Sequence, residues 1–122
     1  MTRDNIEFLV RWLDALRRDD REALLAMLEP DAVWQGLEED WVCNSAEEIV
    51  ATFTSQRDEL RELEALELIG AERHAILHAR GAGVLEVELP DGIYNVFAIL
   101  DGRIKRIEDY AARERALAAA GL

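Results

Sequence analysis

Val96-Phe97-Ala98-Ile99-Leu100-Asp101-Gly102-Arg103-Ile104-Lys105-Arg106-Ile107-Glu108-Asp109-Tyr110 sets the architecture of this chain. Two runs rich in β-formers flank Asp101-Gly102, a dipeptide that accepts the positive φ angles of a tight hairpin turn. The second run ends in Glu108-Asp109-Tyr110 and leads straight into a short alanine-rich segment with helical character. The hairpin therefore closes a sheet, and its last strand carries a carboxylate, Asp109, close to the end.

Upstream of this hairpin the hydrophobic pattern alternates with period two from Leu63 onward. Strands are expected near Leu66–Glu72, His74–Arg80, Val84–Leu89, Tyr94–Leu100 and Arg103–Tyr110. Gly81-Ala82-Gly83, Pro90-Asp91-Gly92 and Asp101-Gly102 supply the turns. Further back the period is helical. Ile6, Leu9, Val10, Leu13 and Leu16 form one apolar stripe, widened by Phe8 and Trp12, on a helix from about Asn5 to Arg18. Asp4 and Glu7 have the spacing of a capping box at its start.

A second helix is expected from near Asp20, with Ala23, Leu24, Met27 and Leu28 facing in, and Pro30 ending it. Asp31–Gln35 reads as a short strand and 36–44 as a loop. Ser45 and Glu48 form a second capping-box signature. The third helix behind them runs to about Arg61, with Ile49, Val50, Phe53 and Leu60 inward. Helices followed by a meandering antiparallel sheet give an α+β order, and a bent sheet wrapped around the helices leaves a cavity at one end.

The 122 residues suffice for one domain with its own core, so residues 1–122 are taken as a single unit. With 14 basic and 26 acidic residues the formal charge is −12, which argues against binding nucleic acid or anionic membranes. No apolar run is long enough to span a bilayer. The single Cys43 and a start without a secretion signal fit a cytoplasmic protein, without an intrachain disulfide or a cysteine metal site. Neither a glycine-rich phosphate cradle nor a metal-ligand motif is present, so no cofactor and no metal are expected.

Arg11-Trp12-Leu13-Asp14-Ala15-Leu16, Asp20, Leu25 to Met27 and Pro30-Asp31-Ala32-Val33-Trp34 resemble the opening of nuclear transport factor 2-like proteins. Phe97 to Asp101, Gly102, Ile104 and Asp109-Tyr110 resemble their closing hairpin. The resemblance spans essentially the whole chain. It implies a cone-shaped, cystatin-like α+β fold, with three N-terminal helices packed in a strongly curved antiparallel sheet and a short C-terminal helix. A small-molecule pocket and pairing as a homodimer come with it. It speaks to fold more than to reaction, because one fold hosts many sites.

Two enzyme branches of that family give position-by-position expectations. Ketosteroid isomerases place a donor tyrosine, a base aspartate and a protonated aspartate where this chain aligns Trp12, Gly36 and Asn95. Trp12 and Asn95 can donate hydrogen bonds, but Gly36 cannot take a proton, so that mechanism is absent. Limonene-epoxide hydrolases hold water with a tyrosine and an asparagine, and use two aspartates bridged by an arginine. Trp34 and Gly36 stand at the water-holding positions, His78-Ala79-Arg80 lacks the second acid, and only Asp109 matches.

The candidate catalytic residues are therefore Asp109, Asn95 and, with less support, His78. Desolvation in apolar surroundings would lift the Asp109 pKa toward neutrality, as a proton shuttle needs. Trp12, Trp34, Trp41, Phe53, Leu77, Phe97, Ile107 and Tyr110 are the expected pocket lining. His74 and His78 share a strand face, but Ala75, Leu77 and Ala79 form the more uniformly apolar one, so the histidines are expected outside. Glu86 and Glu88 read as the exposed side of an ordinary strand. Two readings stay open. One is a SnoaL-like protein with acid–base isomerase, cyclase or dehydratase chemistry on a small apolar molecule at Asp109. The other is a non-catalytic ligand-binding or dimeric assembly module.

Overall fold

Residues 2–55, 64–80 and 92–122 are described in this computed structural model. The expected strand Val84–Leu89, the turn at 81–83 and the last turns of the third helix, with Leu60, lie outside the described residues.

Helix α1 (Thr2–Arg18) begins three residues earlier than its periodicity implies. Asp4 consequently lies within the first turn, where a carboxylate suits the positive end of the helix dipole, and does not cap the helix. Phe8, Leu9, Trp12, Leu13 and Leu16 are buried, whereas Val10, expected on the same stripe, is 52 % exposed. Helix α2 (Arg21–Ala26) is capped by Asp20, whose side chain accepts from the Ala23 N–H at 3.1 Å. It ends before Pro30 is reached, and Leu28, expected on the helix, is a buried residue of strand β1 (Leu28–Gln35). Pro30 lies inside that strand, where the register with the last strand slips between Leu28 and Val33. A missing N–H is tolerated in such an irregular stretch, because no regular ladder bond is required of it.

A two-residue strand, β2 (Val42–Cys43), falls within the expected loop and pairs with the end of β1. Helix α3 (Ala46–Ser55) follows it. Ser45 Oγ accepts from the Glu48 N–H at 3.2 Å, and the Glu48 carboxylate accepts from the Asn44 N–H at 2.6 Å. The capping box is thus realised with its return bond one residue upstream of the cap. Strands β3 (Glu64–Gly70), β4 (His74–Arg80), β5 (Ile93–Leu100) and β6 (Arg103–Tyr110) complete a curved sheet in the order β2-β1-β6-β5-β4-β3. Its pairs are antiparallel except β1 with β6, which run parallel. Asp101 and Gly102 have φ of 52° and 76°, the positive pair that a two-residue hairpin of this twist demands.

The sheet separates two cores. Its inner face, with Ala75, Leu77, Ala79, Phe97, Ile104 and Ile107, packs on α1, α2 and α3. Its outer face, with Ile76, Tyr94, Val96 and Tyr110, packs under helix α4 (Arg113–Ala119) through Ala116 and Leu117. The buried Asn5 side chain ties α1 to the β3–β4 turn by donating to the Ala71 carbonyl at 2.8 Å and the Glu72 carbonyl at 3.2 Å. Among the described residues no helix is long and apolar enough to cross a membrane.

Candidate functional site

A bulge decides which side chains of β6 look inward. Near the turn, Leu100 pairs with Arg103 and Ile99 with Ile104; beyond it, Ala98 pairs with Arg106 and Asn95 with Asp109. Lys105 is the extra residue. Without it the alternation that buries Ile104 would continue through Arg106 and Glu108, leaving Asp109 outside. With it, Ile104, Ile107 and Asp109 share the inner face, and Asp109 comes opposite Asn95.

Strand β1 brings the third member. Trp34 pairs with Ile107 in the parallel ladder, which sets its indole beside Asp109. Trp34 Nε1 donates to Asp109 Oδ1 at 3.0 Å, and Asn95 Nδ2 donates to the same oxygen at 2.6 Å. Oδ2 accepts no hydrogen bond among the described residues, which include no enclosed side-chain polar atom without a partner. Both donors thus meet one oxygen of the carboxyl, and Oδ2 is the oxygen without a donor among the described residues. Burial pushes the Asp109 carboxyl up from 3.8 to about 6, against the downward pull of the Trp34 and Asn95 hydrogen bonds.

Aromatic rings fix the surroundings. The Trp34 indole is stacked on Phe53, with centroids 4.4 Å apart and planes 8° from parallel. It also meets the Trp41 ring in a T-shaped contact, at 4.8 Å and 75°. Trp12 meets Phe53 and Phe97 edge to face at 5.6 and 6.0 Å. Such contacts hold rings in place more firmly than area burial alone. A carboxyl positioned this way can take a proton from a weakly acidic C–H, or return one, through Oδ2.

The expected pocket lining divides into three groups. Trp34 bonds Asp109 beside the candidate catalytic Asn95, and Trp41 and Phe53 flank the Trp34 ring. Trp12, Leu77, Phe97 and Ile107 are on the correct face but are 0–3 % exposed, so in this structure they form the packed floor beneath the site and not its wall. Tyr110 is a correction. It lies on the outer face, and its hydroxyl donates to Glu108 Oε2 at 3.1 Å, with its pKa raised by burial and by that carboxylate. His78 is also outside, stacked on Tyr94 at 4.1 Å and 9°, across the sheet from Asp109. Period-two alternation compels this once Leu77 and Ala79 face in. Among the described residues no group of three His, Cys, Asp or Glu side chains is placed to hold a metal.

In the sequence the Gly36–Trp41 loop is marked only by Trp41 and by a Gly36 that cannot take a proton. Gly36 N–H donates to the Trp41 carbonyl at 2.9 Å, and Gln35 Nε2 donates to the Glu38 carbonyl at 3.0 Å. Alternation along β1 would have put Gln35 on the opposite face from Trp34, which is the available hint that it serves the loop.

No protein-family model matches the sequence, and no curated protein matches it either. Solved structures do. A SnoaL-like protein of unknown function from Burkholderia thailandensis superposes with a TM-score of 0.71 at 16 % identity, covering 90 % of this chain and 96 % of that one. A proposed polyketide cyclase from Sinorhizobium meliloti gives 0.65 at 24 % identity, over 90 % and 99 % of the two chains. An epoxide hydrolase of the limonene-epoxide hydrolase-like type from Mycobacterium tuberculosis gives 0.65 at 17 % identity, over 98 % and 92 %. The chain thus has the nuclear transport factor 2-like fold, in the form shared by SnoaL-like and ketosteroid isomerase-like proteins.

Proposed function

We propose that this protein binds a small apolar molecule against Asp109 and moves a proton on it, in chemistry of the isomerase, cyclase or dehydratase kind. Asp109 carries the proton through Oδ2. Asn95 holds the carboxyl by one amide proton and meets a carbonyl or hydroxyl of the substrate with its remaining polar atoms. The observation that carries this reading is the asymmetry of the carboxyl: two donors on Oδ1 and, among the described residues, none on Oδ2. A group titrating at about 6 exists in both protonation states near neutral pH, which suits it to give and take a proton in one cycle. The proposed cyclase and the epoxide hydrolase that share the fold support small-molecule chemistry as the kind of function this chain has.

The test is proton exchange. A panel of apolar ketones is incubated with the protein in D2O, and deuterium uptake at the α-carbon is followed by NMR. Wild type should catalyse exchange for a subset of the panel, and Asp109→Asn should abolish it while remaining folded. Exchange that survives Asp109→Asn removes the carboxyl from the mechanism. Ligand binding without exchange in wild type favours the non-catalytic reading, to which the closed packing of Trp12, Phe97 and Ile107 lends some support. Pairing of two copies belongs to the same proposal and rests on the resemblance to this fold family and on apolar residues on both faces of the sheet strands. Sedimentation at micromolar concentration should give a dimer, and a monomer contradicts that part.

A further inference from the structure

We propose that the Gly36–Trp41 loop is a clamp that holds the Trp34 indole on Asp109, with Gly36 and Trp41 as positioning residues. The proposal builds on Asp109 as the working carboxyl, but its geometry is independent of any reaction. The loop is closed from within: Gly36 N–H reaches the Trp41 carbonyl, and the Gln35 amide points into carbonyls of the loop, the nearest that of Glu38 at 3.0 Å. This closure lays the Trp41 ring directly over Gly36. A Cβ at position 36 would stand 2.6 Å from Trp41 Cε3 and 2.9 Å from Cδ2, far inside contact distance, so any other residue must displace the ring.

Trp41 is itself 39 % exposed, so burial alone does not account for where it sits. What its position achieves is a T-shaped contact with Trp34 at 4.8 Å, in addition to the Phe53 ring stacked on the same indole at 4.4 Å. Held by both contacts, the Trp34 indole has little freedom to rotate, and its N–H stays aimed at Asp109 Oδ1, 3.0 Å away. With that oxygen occupied, proton traffic is confined to Oδ2. The glycine that could not serve as a base thus acquires a role in holding the site.

The indole N–H of Trp34 is observable by NMR, and the signals of the three tryptophans are assigned by substitution. In wild type its exchange with solvent should be slow. In Gly36→Ala and in Trp41→Ala it should quicken by about tenfold or more, as local opening around the ring becomes easier. Trp41→Phe keeps a ring edge in place and should return exchange to within about threefold of wild type. The clamp is overturned if Trp41→Ala, with its fold intact by signal dispersion, leaves Trp34 exchange within about twofold of wild type. Should Gly36→Ala fail to fold, the solvent-facing Trp41 variants still decide the matter. No substrate enters the experiment, so an Asp109 that does no chemistry would leave its outcome unchanged.

Discussion

Replacing Asp109 by asparagine should stabilise this protein at neutral pH, and the amount follows from the site. The carboxyl titrates at about 6 in the folded chain against 3.8 in the unfolded one, a rise caused by burial. Between those values the native state binds the proton that the unfolded state has released. Stability therefore falls as pH rises from below 3.8 through 6, and stays lower above it. At about 1.4 kcal/mol per unit the full loss is about 3 kcal/mol, and near 2 kcal/mol allowing for solvent at a carboxyl that is only partly enclosed. Asparagine preserves the shape, and its carbonyl oxygen can accept from Trp34 and Asn95 as Oδ1 does. Urea unfolding of both proteins at pH 7.5 and pH 3.5 measures the effect. The variant should be more stable by about 2–3 kcal/mol at the higher pH and nearly equal to wild type at the lower. Equal or lower stability of the variant at pH 7.5 would refute the argument and make Asp109 a structural anion.

Trp34→Phe keeps the stack on Phe53 but removes one donor to the carboxylate. A bond of that kind contributes about 1.5–3 kcal/mol, so carboxyl NMR should find the Asp109 pKa raised by about one to two units. An unchanged or lower value counts against the hydrogen bond. Asn5→Leu strips the β3–β4 turn of its side-chain donor, leaves the Ala71 carbonyl without it and should cost about 1–3 kcal/mol in urea unfolding. Gly102→Val places a β-branched residue at a φ of 76° and should lower stability by about 1–2 kcal/mol, leaving the Asp109 titration unmoved.

The closing hairpin was legible because its signals are local. Asp101-Gly102 dictates the turn, and β-formers on both sides dictate the strands. On β4 the more uniformly apolar set, Ala75, Leu77 and Ala79, is the inner one, but local pattern alone does not settle this, because Ile76 on the other face is equally buried and a slip of one residue would swap the faces. Pro30 misled because its effect depends on partners. A break in the register with β6 accommodates it, and no neighbour in sequence announces that break.

The site itself was legible by residue but not by arrangement. Asn95 and Asp109 meet only because Lys105 is a bulge; an unbroken ladder would have set Glu108 opposite Asn95. The Trp34 bond to Asp109 spans 75 residues, and the Asn5 bond to Ala71 spans 66. Such pairings arise from tertiary packing and leave no periodic trace. Tyr110 was placed inside by proximity to Asp109, whereas adjacent strand residues point to opposite faces.

The measurement that bears most directly on this account is the pH titration of the Asp109 carboxyl in the wild-type protein, followed by carbon NMR and assigned by its loss in Asp109→Asn. A midpoint near 6 is expected, with protonated and ionised forms both present at neutral pH. A midpoint near 4 would contradict it, because Asp109 would then be an ordinary solvated carboxylate, not a poised proton carrier.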